Sequence, residues 1–261
     1  MNDQPLVLAT QNEGVVTLTL NRGERYNPLS RAMIAALQTE LDRIADDRSV
    51  RVVILAAAGK GFSAGHDLRE MLEHAGDQPW QQDLFGECSR MMVDLTRLPQ
   101  PVIARVHGIA TAAGCQLVSM CDLAVASENA TFALPGVNIG VFCSTPAVGV
   151  GRNINRKRAM EMLLTGQLFD AATALEWGLV NRVVPLEKLD EEVNRFVQLI
   201  LGRSSAVIEA GKRTFYEQIE QPLDSAYDTA SATMARNLSF EDAAEGIEAF
   251  LGKRSPAWKG A

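Results

Sequence analysis

The hydrophobic positions of this chain form two kinds of pattern, continuous apolar runs and stripes at helical spacing. The β-branched run Val15–Leu20 ends at a glycine-containing turn, which predicts a strand. Residues 52–55 and 102–106 are continuous apolar runs, as in strands that helices cover on both faces. Ser30 can cap a helix whose apolar positions recur every three or four residues. Because strand, turn and helix repeat in this order, we predict an α/β core with its functional turns at strand ends.

The later part of the chain changes to a mostly helical pattern. Helices are predicted over residues 84–98 and 115–121, and short strands over residues 123–126 and 131–133. Residues 75–79 are expected to form a mobile loop. Further helices are predicted over residues 158–164, 171–177, 186–201, 206–218, 223–238 and 240–251. We therefore divide the chain into a core of residues 1–200 and a helical lobe of residues 201–261.

Composition narrows the classes of function. With 261 residues and 47% hydrophobic content, the chain can bury one sizeable core. A net charge of −7 argues against nucleic acid as a partner. No apolar run reaches the roughly 20 residues that cross a bilayer, and the start lacks the features of a targeting peptide, so we expect no membrane partner and a cytoplasmic location. The cysteine and histidine spacings match no metal site, so we predict no metal and four free, buried thiols.

Two turns rich in small residues are the main candidates for chemistry. Residues 59–68 read Gly-Lys-Gly-Phe-Ser-Ala-Gly-His-Asp-Leu, and residues 110–116 read Ala-Thr-Ala-Ala-Gly-Cys-Gln. Small residues allow close backbone approach to a ligand, and the N–H groups of a starting helix favour negative charge. The plainer interpretation of the first turn is a tight connection in which Asp67 only caps the next helix. Taken together, the turns predict two N–H donors aimed at one oxygen, an oxyanion hole able to hold a thioester enolate.

The order of motifs along the chain resembles the crotonase superfamily, the enoyl-CoA hydratases and isomerases. The matching segments are Asn27-Pro28-Leu29-Ser30, residues 59–68, Pro101-Val102-Ile103-Ala104, Gly114-Cys115-Gln116-Leu117, Cys121-Asp122-Leu123 and residues 246–256. The resemblance implies an α/β fold built as a spiral of β-β-α units with a helical C-terminal lobe. It also implies an acyl-CoA substrate bound by the core of residues 1–200, with coenzyme A as part of the substrate and no separate cofactor. For the helical lobe of residues 201–261 it implies trimerisation, with homotrimers that commonly pair as hexamers.

The resemblance assigns roles residue by residue. It makes the backbone N–H groups of His66 and Ala113 the oxyanion donors. Relatives usually carry glycines where this chain has Ala112-Ala113, so the donor geometry is expected only if both alanines have negative φ. The positions assigned to CoA contacts are Arg25 beside the nucleotide, Ala64, His66, Asp67, Leu68 and Arg69 along the first turn, and Phe250 and Lys253 reaching in from a neighbouring subunit.

Two departures from the family pattern concern acid and base chemistry. Gln116 and Gly136 stand where hydratases of the superfamily carry glutamates. A positioned acid or base typically contributes about 10²–10⁴-fold, so ordinary hydration should be slow, with Gln116 orienting substrate or water. Restoring both acids is expected to raise crotonyl-CoA hydration. The alternatives are decarboxylation of a methylmalonyl-type thioester, in which loss of CO₂ itself creates the enolate, and a non-catalytic acyl-CoA-binding protein.

Three further side chains have open roles. We expect Thr145 to cap a helix with Pro146 at its first position, so that Cys143 lies outside the helix N-terminus, where thiol pKa values fall. Cys143 is then either a reactive group or a packing residue. The His66 ring faces either the acyl pocket or a neighbouring helix. Asp122 is expected to fix the turn between Cys121 and Leu123.

Overall fold

The computed structural model describes residues 4–261 and is built around two sheets. The strands are β1 (Val7–Asn12), β2 (Val15–Leu20), β3 (Val52–Ala57), β4 (Val102–Val106), β5 (Ala110–Thr111), β6 (Leu123–Ser127), β7 (Thr131–Ala133), β8 (Phe169–Asp170) and β9 (Arg182–Val184). The main sheet has the order β1-β2-β3-β4-β6-β9, and only its β1–β2 pair is antiparallel. A smaller sheet has the order β5-β7-β8.

Helices cover the main sheet on both faces and make up most of the C-terminal part. They are α1 (Arg31–Ala45), α2 (Leu68–Glu73), α3 (Gln78–Arg97), α4 (Ala113–Met120), α5 (Ser144–Asn153), α6 (Arg156–Thr165), α7 (Ala171–Trp177), α8 (Leu189–Leu201), α9 (Ser205–Gln218), α10 (Leu223–Asn237) and α11 (Glu241–Leu251). The α/β core and the helical C-terminal region agree with the sequence prediction. The exact division at residue 200 stays a prediction.

The main sheet separates two hydrophobic cores, and the alternating side chains of β2 face the larger one. Val16, Leu18 and Leu20 are fully buried in the larger core, which they share with residues of α1, α3 and α4. On the opposite face, Val52 and Ile103 pack against α8 in a smaller core. Because β3 and β4 are buried on both faces, their continuous apolar runs were sufficient to identify them.

Several element boundaries differ from the predicted ones. The chain also forms β1, β5, β8 and β9, which the hydrophobic pattern did not reveal. β1 is mostly exposed, which hides its strand signal, whereas β5, β8 and β9 have only two or three residues each. The helix expected after Asp67 is α2. Residues 78–79, expected in a mobile loop, begin α3 instead. The reason is local, since Asp77 accepts a hydrogen bond from Trp80 N at 3.2 Å and Pro79 suits the first helical turn.

A buried ionic cluster joins the C-terminal lobe to the core. Lys212 Nζ on α9 donates to Asp122 Oδ2 at 2.6 Å, and the Tyr216 hydroxyl donates to Asp122 Oδ1 at 2.9 Å. Val102 N, at the start of β4, donates to the same carboxylate at 2.7 Å. Asp122 therefore connects α9 to the start of a central strand, a role wider than the local turn expected from the sequence.

Two predicted properties of the whole chain can be compared with the structure. Cys88, Cys115, Cys121 and Cys143 are all free and buried, as predicted. Within residues 4–261, no helix has the length and apolar character needed to cross a membrane. Over the same residues, no three His, Cys, Asp or Glu side chains group as a metal ion would require, and the absence of a metal stays a prediction.

Candidate active site

The first small-residue turn, residues 58–67, follows β3 and is held in place by one buried side chain. Asn27 Nδ2 donates to the carbonyls of Ala58, Gly61 and Phe62 at 2.9, 3.0 and 3.1 Å. Its Oδ1 accepts from Arg22 N at 2.8 Å. Asn27 is fully buried and has a φ of 49°, a left-handed conformation that asparagine tolerates better than most residues. No role was predicted for Asn27, although an Asn-Pro pair is a recognised turn signal.

The first turn runs beside the segment that leads to the second one. Ser63 and Ala110 form an isolated parallel bridge, in which Ser63 N donates to Ile109 O at 3.1 Å and Thr111 N donates to Ser63 O at 2.9 Å. The Thr111 hydroxyl also donates to Ala64 O at 3.2 Å. These bonds fix the register of the two turns relative to each other.

The second turn enters α4 and packs directly on the first. A Cβ atom at Gly114 would overlap Ser63 O, so only glycine fits there. A Cβ atom at Gly65 would lie 3.1 Å from Ala113 N and 2.8 Å from Ala112 Cβ. The backbone just before His66 therefore lies against the amide of Ala113, the first residue of α4.

Ala112 does not have the backbone conformation that the sequence analysis required. Ala113 begins α4 and is helical, but Ala112 has φ 50° and ψ −120°. This region suits glycine, and a residue with a Cβ held there stores about 1–3 kcal/mol of strain. Ala112 therefore does not meet the condition of a negative φ on which the donor geometry was expected to depend. The turn is nevertheless closed, because Ala112 N donates to Ala133 O at 2.9 Å.

The backbone N–H groups of His66 and Ala113 lie in positions that favour an external acceptor. Leu29 and His66 form a parallel bridge in which Leu29 N donates to Gly65 O at 2.8 Å. In a parallel bridge of this kind, Leu29 hydrogen-bonds to the residues before and after His66. The N–H of His66 itself therefore points away from Leu29. Ala113 is in the first turn of α4, where amides have no acceptor within the helix. His66 is half-buried and Ala113 is fully buried.

The His66 ring contacts α3 and is held in its neutral form. It lies edge-on to Phe85, with ring centroids 5.3 Å apart and an angle of 89° between the planes. Burial lowers the pKa of His66 from 6.5 to about 4, so the imidazole is uncharged at neutral pH. Its Nε2 is buried without a hydrogen-bond partner among residues 4–261. Of the two orientations considered, the ring takes the one that faces a neighbouring helix.

Gln116 lies in the first turns of α4, three residues after Ala113. Its backbone N–H donates to Ala112 O at 3.0 Å, and the residue is only 4% exposed. Gln116 therefore lies about one helical turn after the Ala113 amide. Its Oε1 is buried without a hydrogen-bond partner in the described part of the chain.

Gly136 and Cys143 form a closed structural pair. Gly136 N donates to Cys143 Sγ at 3.3 Å. A Cβ atom at Gly136 would lie 2.8 Å from that sulfur and would overlap Val141 O, so a glutamate there requires residues 141–143 to move. These contacts oppose restoring the family acid at this position, and the effect of the double substitution on hydration stays a prediction.

The predicted helix start beside Cys143 differs from the observed one. α5 begins at Ser144, with Cys143 as its N-cap residue, so Pro146 is the third helical residue and Thr145 is not the cap. Burial raises the pKa of the Cys143 thiol, and the hydrogen bond from Gly136 N only partly offsets this effect. Of the two roles left open for Cys143, its burial and raised thiol pKa favour packing.

The remaining predicted CoA contacts lie at two separate places. Arg25 and Asp67 form an ion pair at 2.9 Å, and Asp67 also accepts from Arg69 N at 3.0 Å as the cap of α2. Asp67 therefore does have the capping role of the plainer interpretation. Ala64, Leu68 and Arg69 are exposed beside this pair, as a ligand-contacting segment requires. Phe250, at the end of α11, is 83% exposed, and Lys253 follows it with a φ of 52°.

Comparison with known proteins identifies the family. A family model described as enoyl-CoA hydratase/isomerase matches residues 10–261. A rat protein named "Enoyl-CoA hydratase domain-containing protein 3, mitochondrial" is 45% identical over 256 residues, which are 98% of this chain and 85% of the rat protein. Because this and other similar relatives are named as mitochondrial, the predicted cytoplasmic location is contradicted.

Solved structures confirm the predicted crotonase fold. The crystal structure of an enoyl-CoA hydratase from Mycobacterium smegmatis has a TM-score of 0.96 and 52% identity, covering 98% of this chain and 99% of that one. The human enoyl-CoA hydratase domain-containing protein 3 has a TM-score of 0.94 and 45% identity, covering 98% of this chain and 100% of that one. This chain belongs to the enoyl-CoA hydratase/isomerase family of acyl-CoA enzymes.

Proposed function

We propose that this protein binds an acyl-CoA thioester and polarises its carbonyl with the backbone N–H groups of His66 and Ala113, which stabilise an enolate. The observation that carries the proposal is the close contact of the two turns, since a Cβ at Gly65 would lie 3.1 Å from Ala113 N. Preorganised donors aimed at a developing oxyanion are often the largest single contribution to catalysis. Coenzyme A is part of the substrate, and we propose no further cofactor.

The reaction we propose is of the lyase type, with weak acid and base catalysis. Gln116 has no useful proton affinity, and Gly136 has neither a side chain nor the room for one. Gln116 would orient the acyl group or a water molecule. Because a positioned acid or base contributes about 10²–10⁴-fold, we expect hydration of a simple enoyl-CoA to be slow.

For the CoA moiety, we propose that the exposed end of the first turn contacts the pantetheine and the nucleotide. Asp67 fixes Arg25 through their 2.9 Å ion pair, so the guanidinium is positioned before the ligand arrives. Ala64, Leu68 and Arg69 would line the path of the ligand beside it. Phe250 and Lys253 would reach the CoA of a neighbouring subunit.

Self-association is part of this proposal because the C-terminal helices carry many exposed apolar side chains. Large exposed apolar patches are typical of protein interfaces. We propose a homotrimer, or a pair of trimers, with these helices at the subunit contacts, and light scattering after size exclusion measures the assembly. The exposed side chains are Phe215, Ile219, Leu223, Tyr227, Met234, Leu238, Ile247, Phe250 and Leu251.

The direct test of the oxyanion hole removes the carbonyl oxygen from the ligand. We expect butyryl-CoA to bind at least about tenfold more tightly than its thioether analogue S-butyl-CoA, because the analogue lacks the acceptor for the two N–H groups. Isothermal titration calorimetry measures both affinities. Acetoacetyl-CoA provides a second readout, since its enolate absorbs in the near ultraviolet and should form on the protein at a pH where the free thioester is not ionised. Equal affinities and no enolate absorbance would refute the proposal.

Two alternatives are decided by turnover. Decarboxylation of a methylmalonyl-type thioester needs only the oxyanion donors, because loss of CO₂ generates the enolate without a base. Release of CO₂ from methylmalonyl-CoA measures this reaction. If neither methylmalonyl-CoA nor crotonyl-CoA is turned over while butyryl-CoA still binds, the chain is a non-catalytic acyl-CoA-binding protein.

A further inference from the structure

Helix α11 turns its large apolar side chains outwards. Ile247, Phe250 and Leu251 are all more than half exposed. Of the eleven residues of α11, only Asp242 and Ala249 are buried. One alanine side chain contributes little apolar area, so hydrophobic packing within the chain does not by itself hold this helix in a single orientation. Its orientation therefore depends on other contacts.

The chain reverses after α11, and residues 254–261, which we call the strap, run back along the helix. The reversal lies at Lys253, which has a φ of 52°. Arg254 then forms a bidentate ion pair with Glu245 at 2.6 and 2.8 Å, and Ala257 N donates to the same carboxylate at 2.7 Å. Glu245 therefore fastens the first half of the strap to the middle of α11.

The end of the strap is fastened to the first turn of α11. Lys259 N and Gly260 N donate to the two carboxylate oxygens of Asp242 at 2.7 and 2.8 Å. Asp242 N in turn donates to Ala261 O at 3.0 Å. Asp242 is only 1% exposed, and a buried carboxylate is stable only where hydrogen bonds of this kind compensate its lost hydration. An asparagine has a single acceptor oxygen and cannot satisfy both amides.

Trp258 joins the strap to the junction of α8 and α9. Its Nε1 donates at 2.8 Å to the carbonyl of Gly202, which ends α8. Its ring lies directly on α11, since a Cβ atom at Gly246 would be 3.0 Å from it. Near the start of α9, a Cβ atom at Gly260 would lie 2.8 Å from Ser205 Oγ. The strap therefore packs between α11 and this junction and ties the position of one to the other.

Phe250 and Lys253 lie where α11 ends and the strap begins, so the contacts of both elements fix the direction of these two side chains. We propose that the strap orients Phe250 and Lys253 over the CoA of a neighbouring subunit, and that Asp242 and Trp258 are positioning residues for CoA binding. This inference rests on the proposed function, in which those two side chains contact CoA. Groups that are held in place before the ligand arrives lose less conformational entropy on binding.

Calorimetry on the full chain with free CoA and with pantetheine tests the proposal. Lys253 is a cation, so its partner on the ligand is a phosphate, and pantetheine lacks the phosphates of CoA. We expect Asp242→Asn and Trp258→Ala to weaken CoA binding by about tenfold and to change pantetheine binding by less than about twofold.

The matched control is Asp170→Asn, which alters a carboxylate that caps α7 by accepting from Thr173 N at 2.8 Å. It should leave both affinities unchanged. Light scattering and thermal denaturation of each variant report assembly and folding.

A double-mutant cycle separates positioning from general stability. The variant Phe250→Ala/Lys253→Ala should itself weaken CoA binding. Adding Trp258→Ala should then have little further effect, because the groups that Trp258 positions are gone. Trp258→Phe keeps a ring on α11 but loses the hydrogen bond to Gly202 O, so we expect a smaller loss of CoA affinity from it. This milder variant carries the test if Trp258→Ala does not fold or assemble.

The proposal is overturned if folded, assembled Asp242→Asn and Trp258→Phe bind CoA as tightly as the original chain. Equal losses for CoA and pantetheine, or full additivity in the cycle, also overturn it. Failure of the oxyanion hole is a separate result, in which butyryl-CoA binds no better than free CoA while the strap variants still weaken free CoA. If Phe250→Ala/Lys253→Ala leaves CoA affinity unchanged, the proposed contact of these side chains with CoA fails, and the role of the strap fails with it.

Discussion

The two turns that form the candidate site are fixed in different ways. The first turn, residues 58–67, is held by the polar side chain of Asn27, and its left-handed positions, Gly59 and Gly65, are glycines. The second turn is held by close packing, with Gly114 against Ser63, and its left-handed position is Ala112. The positive φ values of the first turn therefore fall on glycines, which adopt them without strain, whereas the positive φ of the second turn falls on an alanine. Backbone strain at a ligand-binding turn persists only when its surroundings force it.

The largest loss of stability should come from disturbing the packing of the second turn. Gly114→Ala places a methyl group where it overlaps Ser63 O, so we expect about 3 kcal/mol or more of destabilisation and loss of butyryl-CoA binding. Urea denaturation measures the stability. The control is Gly211→Ala on α9, where a Cβ meets nothing within 4 Å and should stabilise by about 0.5–1 kcal/mol. Equal effects of the two substitutions would contradict the close contact.

The free energy of unfolding should depend on Asn27 in the first turn's support almost as strongly as on Gly114 in the second turn. Asn27→Ala removes the donor to three carbonyls and the acceptor for Arg22 N, and it leaves buried groups unpaired. We expect a loss of about 3 kcal/mol in the free energy of unfolding. Gln11→Ala, which removes an exposed hydrogen bond to Ser49, should cost less than about 0.5 kcal/mol in the same assay. A small effect of Asn27→Ala would show that contacts with residues 109–111 alone fix the turn.

The neutral ring of His66 should make the first turn sensitive to acid. Its folded pKa of about 4 lies below the ordinary value of 6.5, so the unfolded chain binds more protons between these values. Stability should therefore fall as the pH drops from about 6.5 to about 4, by at most about 3 kcal/mol from this residue. Urea denaturation at pH 7.5 and pH 4.5 measures the fall, and His66→Phe should reduce it. An unchanged pH dependence in His66→Phe would contradict the burial of the ring.

The smallest predicted effect concerns the strain at Ala112. Ala112→Gly should raise the free energy of unfolding by about 1 kcal/mol, because glycine tolerates a φ of 50° and the relieved strain exceeds the entropy lost by the more flexible chain. The neighbouring substitution Ala113→Gly, within the first turn of α4, should instead destabilise by about 0.5–1 kcal/mol. If both substitutions destabilise equally, the backbone at Ala112 is not strained.

The sequence was most informative where burial imposes a simple pattern. β2, β3 and β4 were recognisable because their apolar side chains face covered surfaces, and α1 because Ser30 accepts from Met33 N at 3.2 Å as a true N-cap. β1 escaped detection because five of its six residues are exposed, which leaves almost no hydrophobic pattern. The start of α3 at residues 78–79 was predicted as a loop because Asp and Pro are typical loop residues. Only the structure shows that Asp77 caps the helix and that Pro79 lies in its first turn.

The sequence alone determined the fold family, the two small-residue turns and the absence of glutamate at positions 116 and 136, because these depend on residue identity and order. The tertiary structure decided that Ala112 is strained, that Gly136 has no room for a side chain and that burial raises the pKa of the Cys143 thiol. It also decided that Asn27 holds the first turn and that, among residues 4–261, His66 Nε2 and Gln116 Oε1 have no hydrogen-bond partner. Strain, steric room and desolvation depend on neighbours distant in the chain, and only the folded structure brings those neighbours together.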